Sequence, residues 1–119
     1  MLIVDDSALI RDRLKDMLSE LVEVEIAGEA RDKSEAVDLT RKLNPDVVIL
    51  DIRLLRGNGI EVLQEIKAGE PSPIILMLTN YPYPQYHVKC MAAGANFFFD
   101  KATEFVKVPE VLKQLISKA

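Results

Sequence analysis

Short apolar runs alternate with helix-like repeats along the whole chain. Residues 47–50 and 74–78 contain no polar side chain, a pattern typical of strands that are buried on both faces of a parallel sheet. Residues 2–4 and 97–99 are shorter runs of the same kind. Residues 22–26 alternate valine or isoleucine with glutamate, which predicts a strand with one face in water at the edge of the sheet. The pattern therefore predicts five strands.

Each predicted strand is followed by apolar residues spaced three or four apart, the period of an amphipathic helix. Asn44 and Pro45 end the second helix, Pro84 suits the first turn of the fourth, and Gly94 ends it. This alternation predicts an α/β fold, specifically a flavodoxin-like, doubly wound five-stranded parallel sheet in the order 2-1-3-4-5. That order places the alternating strand at an edge and the third strand in the middle. The predicted helices include residues 9–21, 33–43, 60–66, 84–94 and 108–116.

The composition restricts the classes of function. The 119 residues fit one domain spanning 1–119, and both a stand-alone module and part of a longer protein fit this sequence. A formal charge of -4 argues against direct DNA binding, which requires a basic surface. His87 and Cys90 are single, which excludes a Cys/His zinc cluster and an internal disulfide and fits a cytoplasmic protein. No apolar run is long enough for a membrane helix.

Polar residues follow four of the predicted strands. Asp5 and Asp6 follow the first strand, Asp51 the third, Thr79 the fourth and Lys101 the fifth. Because the carboxyl ends of parallel strands meet at one edge of the sheet, these side chains are expected to share one rim. Taken singly, each has a simpler explanation: Asp6 or the next residue can cap the first helix, and Lys101 can be a solvated surface lysine. The presence of all these polar side chains at one rim predicts a functional site there.

Electrostatics indicates what this rim would bind. Two carboxylates about 5 Å apart repel by roughly 3 kcal/mol at an effective dielectric near 20, so three acids and one lysine leave surplus negative charge. Mg²⁺ suits such a rim because it takes one or two carboxylates and leaves positions for a phosphate. A carboxylate can attack phosphorus, and Asp51 on the central strand is the natural acceptor. Lys101 and the Thr79 hydroxyl would then neutralise phosphoryl oxygens.

Four segments carry the motifs of a known family. They are residues 2–7 (LIVDDS), residues 48–51 (VILD) with Gly59 eight residues on, residues 76–79 (LMLT) and residues 94–101 (GANFFFDK). With these motifs in this order and spacing, the sequence resembles the receiver domain of bacterial two-component response regulators, including the chemotaxis receivers. The resemblance extends over essentially the whole chain.

The resemblance implies a set of roles at the predicted rim. Asp51 would accept a phosphoryl group from a histidine kinase or a histidine phosphotransfer protein, and Lys101 would contact the phosphate. Mg²⁺ would be held by Asp5, Asp6, Asp51 and the backbone carbonyl of Arg53. The domain would promote only its own phosphorylation and dephosphorylation, so it is not expected to be an enzyme.

The resemblance also implies a two-state switch. Thr79 would move toward the phosphate, and Phe98, which has the switch aromatic ring but no hydroxyl, would move inward behind it. The surface formed by the fourth helix, the fifth strand and the fifth helix would change and engage an output partner. Neither DNA nor a membrane is expected to be a direct partner of this domain.

Some positions differ from the family's commoner pattern. Ala102 follows Lys101 where proline is frequent, which leaves the isomer of that peptide bond open. Arg53 and Tyr81 occupy positions that tune phosphate lifetime in this family, and we expect them to slow the attack of water. Residues 80–86 hold all three tyrosines, which fits a stiff surface loop and a partner-binding patch about equally well.

Two other functions fit the sequence less well. A phosphohydrolase of the haloacid dehalogenase type requires a second acid two residues after its nucleophile, but Ser7 and Arg53 stand two residues after Asp5 and Asp51. Flavin binding on the same fold would place a phosphate at the first strand–helix turn, where Asp5 and Asp6 would repel it.

Overall fold

In the computed structural model, which describes residues 1–118, five parallel strands alternate with five helices. Numbered along the chain, the strands form one sheet in the order 2-1-3-4-5, which confirms the predicted fold. No helix in this range is long and apolar enough to cross a membrane. The elements are β1 Leu2–Val4, α1 Ala8–Leu18, β2 Gly28–Ala30, α2 Lys33–Leu43, β3 Val47–Leu50, α3 Gly59–Ala68, β4 Ile74–Thr79, α4 Pro84–Ala92, β5 Phe97–Asp100 and α5 Lys107–Lys118.

The sheet separates two apolar cores because successive strand residues point to opposite faces. Ile3 and Ile49 face the first core with residues of α1 and α5, such as Leu14 and Leu112. The neighbouring residues on the same strands face the second core, formed with α2, α3 and α4. This two-sided burial explains why β3 and β4 are apolar throughout.

Side-chain caps fix where the helices begin. The hydroxyl of Ser7 accepts a hydrogen bond from the backbone N–H of Ile10 at 3.3 Å and caps α1. Asn58 caps α3 in the same way by accepting from the N–H of Glu61 at 3.0 Å. Since Ser7 supplies the cap of α1, the adjacent Asp6 is available for another role.

The prediction of an edge strand over residues 22–26 is wrong. The second strand is Gly28–Ala30, and residues 22–26 form a turn followed by irregular backbone. The register explains the difference: Leu2, the first residue of β1, pairs with Gly28, so residues 22–26 lie beyond the end of β1. Val24 and Ile26 still pack against the core, which accounts for their apolar character without a strand.

Cys90 and His87, the single cysteine and the single histidine, both lie on α4 but have different surroundings. Cys90 is fully buried in the core, and burial raises the pKa of its thiol to about 11. That thiol remains protonated at neutral pH and serves packing. His87 is exposed, but its ring stacks on the Phe98 ring with centroids 4.6 Å apart and planes 4° from parallel.

Candidate functional site

The register of the central strands brings the acidic residues together. Val4 and Leu50 are partners across β1 and β3, so Asp5 and Asp51, which follow them, are neighbours at the same rim. The backbone N–H of Asp51 donates to the carbonyl of Val4 at 3.0 Å, which extends the ladder to the site. The strand ends therefore place both carboxylates without help from a flexible loop.

Lys101 connects these two carboxylates. Its ammonium donates to Asp5 Oδ2 at 2.7 Å and to Asp51 Oδ2 at 2.8 Å. All three side chains are almost fully buried, with 4–6% of their surface exposed. The backbone N–H of Lys101 donates to the carbonyl of Thr79 at 2.8 Å, which joins the ends of β4 and β5.

Short-range hydrogen bonds fix the other oxygens of the site. Asp5 Oδ1 accepts from the N–H of Ser7 at 2.9 Å, and Asp51 Oδ1 accepts from the N–H of Ile52 at 2.7 Å. The fully buried hydroxyl of Thr79 accepts from the N–H of Tyr81 at 3.0 Å. Each polar group therefore has a set orientation before any ligand binds.

Burial and charge perturb the acid–base properties of the site. Burial raises the pKa of Asp51, and the carboxylate of Asp5 adds to this, while Lys101 and the Thr79 hydroxyl act in the opposite direction. Burial by itself lowers the pKa of Lys101, but hydrogen bonds from its ammonium to Asp5 and Asp51 outweigh it, so the pKa of Lys101 is raised. Lys101 therefore stays charged, and Asp51 is a more basic carboxylate than an exposed aspartate.

Asp6 completes an acidic cluster. It is exposed, and one oxygen each from Asp5, Asp6 and Asp51 lies within 4.8 Å of the others. Three carboxylates opposed by the single ammonium of Lys101 leave a formal charge of two negative units, which a divalent cation would balance. Carboxylate oxygens are the ligands that Mg²⁺ prefers, so the residues present fit a magnesium ion.

Two residues outside the acidic cluster support its backbone. Arg11 on α1 donates from Nη1 to the backbone carbonyl of Asp5 at 2.7 Å and pairs through Nε with Glu29 on β2 at 3.0 Å. Gly59, noted only for its spacing, packs directly on the backbone of Asp51, and any Cβ there would overlap the Asp51 carbonyl oxygen. Neither role was detectable from the sequence, because it depends on elements that meet only in the fold.

The remaining predicted residues lie around the acidic cluster. The guanidinium of Arg53 lies 4.2 Å from the centre of the Tyr81 ring, so the two residues form a cation–π pair. Tyr81, Tyr83 and Tyr86 form a row with ring centroids 6.4 and 5.7 Å apart. Phe98 is not part of the cluster: it is half-buried against the α2–α3–α4 core beneath His87. The Lys101–Ala102 peptide is trans.

Comparisons with known proteins identify the family and the fold. The family model described as the response regulator receiver domain matches residues 1–113. The chemotaxis protein CheY of Thermotoga maritima is 34% identical over 96% of this chain and 94% of its own length. The response regulator domain of CheB from Thermotoga maritima superimposes with a TM-score of 0.85 at 31% identity, covering 99% of this chain and 92% of that one.

A longer relative carries the same module. A protein-glutamate methylesterase/protein-glutamine glutaminase of Pyrococcus abyssi is 35% identical over 98% of this chain, which spans about a third, 33%, of that protein's length. The residues matched by the family model, 1–113, include all five strands and the residues of the acidic cluster. The chain therefore belongs to the response regulator receiver domains, the phosphate-accepting modules of two-component signalling, which bind Mg²⁺ at an acidic cluster.

Proposed function

We propose that Asp51 is the residue that accepts the phosphoryl group. The observation that carries this proposal is its position: Asp51 directly follows the central strand, is buried, and lies 2.8 Å from the Lys101 ammonium that also binds Asp5. Burial also raises its pKa. Of the three clustered acids, Asp6 is exposed, and Asp5 follows β1 and not the central strand β3. Asp51 combines burial, a raised pKa and contact with the lysine at the end of the central strand.

The transfer is a displacement at phosphorus. A carboxylate oxygen of Asp51 forms the new bond, while the bond from phosphorus to the donor's imidazole nitrogen breaks and the nitrogen leaves with the electron pair. The product is an acyl phosphate on Asp51 and a free histidine on the donor. Since residues 1–119 contain one histidine, on the surface of α4 against Phe98, the donor histidine belongs to a kinase or phosphotransfer protein.

Neighbouring side chains stabilise the charge of the transferring group. The ammonium of Lys101 already lies 2.8 Å from Asp51, so a short movement brings it onto a phosphoryl oxygen. The hydroxyl of Thr79 can donate to a second oxygen. Mg²⁺, held by Asp5, Asp6, Asp51 and the Arg53 carbonyl, would supply charge neutralisation at a third oxygen.

Arg53 and Tyr81 set how long the phosphoryl group persists. Their cation–π pair joins the loop after β3 to the loop after β4, and both residues lie two positions beyond a site residue. A closed pair restricts the approach of water to the acyl phosphate, so we expect it to slow hydrolysis.

Phosphorylation alters the face formed by α4, β5 and α5. A Thr79 hydroxyl drawn toward the phosphate leaves space behind it, and Phe98 on β5 can move into this space. Because Phe98 stacks on His87, its movement changes the surface of α4 as well. This face would engage the output partner.

We assign residues 1–119 to one receiver domain that acts in the cytoplasm without an enzymatic activity of its own beyond its phosphorylation chemistry. The formal charge of -4 favours a protein partner over direct contact with DNA. One relative is a protein-glutamate methylesterase/protein-glutamine glutaminase, but this chain matches only a third of that protein, its receiver part.

Intact mass tests the assignment of Asp51. The protein is incubated with Mg²⁺ and a small phosphodonor, beside an Asp51→Ala variant. One phosphoryl adduct on the wild type and none on the variant are expected. An adduct that survives the substitution would refute the proposal, and rapid turnover of many phosphate esters would instead indicate a hydrolase.

A further inference from the structure

The turn that carries Lys101 is held by two acidic side chains outside the metal cluster. Asp100 Oδ1 accepts a hydrogen bond from the N–H of Ala102 at 2.9 Å, so the carboxylate spans Lys101. Glu104 Oε1 accepts from the N–H of Asp100 at 2.9 Å, and the N–H of Glu104 donates back to the carbonyl of Asp100 at 2.8 Å. Residues 100–104 are thus closed by three local hydrogen bonds, two of which end on carboxylates.

These bonds fix the backbone on both sides of the lysine. The N–H of Lys101 is already bound to the Thr79 carbonyl, and the next N–H, that of Ala102, is bound to Asp100. A lysine side chain has a flexible stem, so the position of its ammonium depends on where its Cα is held. Here the ammonium must reach Asp5 and Asp51 at the same time.

Glu104 is itself anchored. Its Oε2 lies 2.7 Å from Lys107 Nζ at the start of α5, and this ion pair, together with the N–H of Asp100, lowers the pKa of Glu104. The carboxylate therefore stays charged at neutral pH and remains an acceptor. The Asp100–Glu104 pair joins the end of β5 to the beginning of α5.

We propose that Asp100 and Glu104 are positioning residues that set the Lys101 ammonium for phosphoryl transfer, without touching the phosphate themselves. This inference rests on the proposed role of the site in accepting a phosphoryl group. It predicts that the hydrogen-bond acceptor at each position matters, and that the negative charge does not.

Matched variants separate these properties. Asp100→Asn and Glu104→Gln keep an acceptor oxygen and lose the charge, whereas Asp100→Ala and Glu104→Ala lose both. The rate of phosphorylation by a small phosphodonor is measured for each, and Mg²⁺ affinity is measured from the metal-dependent rise in thermal stability.

We expect each alanine variant to be phosphorylated about tenfold more slowly, and each amide variant to stay within about twofold of the wild type. Mg²⁺ affinity should stay the same or rise in the alanine variants, because a displaced ammonium competes less with the cation. A general disruption of the site would lower the affinity instead.

Three results would overturn the inference: alanine variants as fast as the wild type, amide variants as slow as the alanine variants, or a rate and a Mg²⁺ affinity that fall together. If Asp100→Ala does not fold, the Glu104 variants test the inference in its place. A wild-type protein that gains no phosphoryl group counts against the proposed function, whereas normal phosphorylation of both alanine variants counts only against the positioning role.

Discussion

The two ends of the sheet are both acidic, yet only one is organised as a site. At the carboxyl end, Asp5 and Asp51 are buried, hydrogen-bonded and joined by Lys101. At the amino end, Glu25 and Asp46 are exposed on the wall of a cavity of about 660 Å³, and neither forms an ion pair with any side chain that the structure describes.

The difference shows what makes a carboxylate functional here. The amino end has the larger cavity, but its acids are exposed to solvent. At the carboxyl end, burial beside a like charge raises the pKa of Asp51. The organised site is therefore recognised by coupled buried charges and not by cavity size.

Removal of the central lysine should have the largest effect on stability. Lys101→Met leaves Asp5 and Asp51 buried without their cation, and we expect a loss of about 3 kcal/mol in the free energy of unfolding without Mg²⁺. Lys67→Met is the control from the amino end, where Lys67 donates to the Pro73 carbonyl at 2.8 Å and forms no ion pair with the side chains that the structure describes. It should cost about 1 kcal/mol. Equal losses in urea unfolding would contradict the comparison.

The same variant has a defined pH dependence. Lys101 lowers the pKa of Asp51, so Lys101→Met raises that pKa further. A carboxyl whose folded-state pKa is raised binds its proton more tightly in the folded protein, so the folded state gains stability as the pH falls. The deficit of Lys101→Met relative to the wild type should shrink on acidification below neutral pH. A deficit that grows on acidification would rule out Asp51 as the group responsible.

Glycine-to-alanine substitutions at the two ends of the sheet should differ in how much stability they cost. Gly59→Ala forces the new Cβ onto the backbone of Asp51, and we expect a loss of about 2 kcal/mol together with slower phosphorylation. The nearest atom to a Cβ at Gly69, beyond α3 toward the amino end, is the Ile66 carbonyl oxygen at 3.6 Å. Gly69→Ala should change stability by no more than about 0.5 kcal/mol in thermal unfolding. Tolerance of Gly59→Ala would mean that the site backbone is not tightly packed.

The smallest predicted effect concerns the cation–π pair of Arg53 and Tyr81. Arg53→Ala and Tyr81→Ala each remove the cation–π pair and should speed loss of the phosphoryl group about threefold. Tyr81→Phe keeps the ring and should leave the decay rate unchanged. Decay of the phosphorylated protein, followed by intact mass, measures this directly. An unchanged decay rate in both alanine variants would show that the cation–π pair does not slow hydrolysis.

The sequence predicted best the parts of the fold that are determined by burial. β3 and β4 are buried on both faces, so their composition alone identifies them, and the residues after them fall at one rim by topology. The predicted edge strand is misplaced because residues 22–26 have strand periodicity but precede Gly28, where pairing with β1 begins. The local pattern of apolar residues indicates which residues are buried, whereas strand pairing depends on where the neighbouring strand begins and ends.

The residues that form the site can be predicted from the sequence, but the contacts that hold them in place cannot. Asp5, Asp51 and Lys101 follow apolar strands and could be named from the chain. The contact of Gly59 with the Asp51 backbone and the Asp100 hydrogen bond across the lysine are set by the folded backbone. No periodicity or composition signals such contacts.

The most direct test of the central claim locates the phosphoryl group. The protein is phosphorylated with Mg²⁺ and a small phosphodonor, the acyl phosphate is reduced to the alcohol with borohydride, and the peptides are sequenced by mass spectrometry. Asp46→Asn serves as the control from the amino end. The account predicts homoserine at position 51 in the wild type and in Asp46→Asn, and none in Asp51→Asn. Homoserine at position 5 or 6, or at any position in Asp51→Asn, would contradict it.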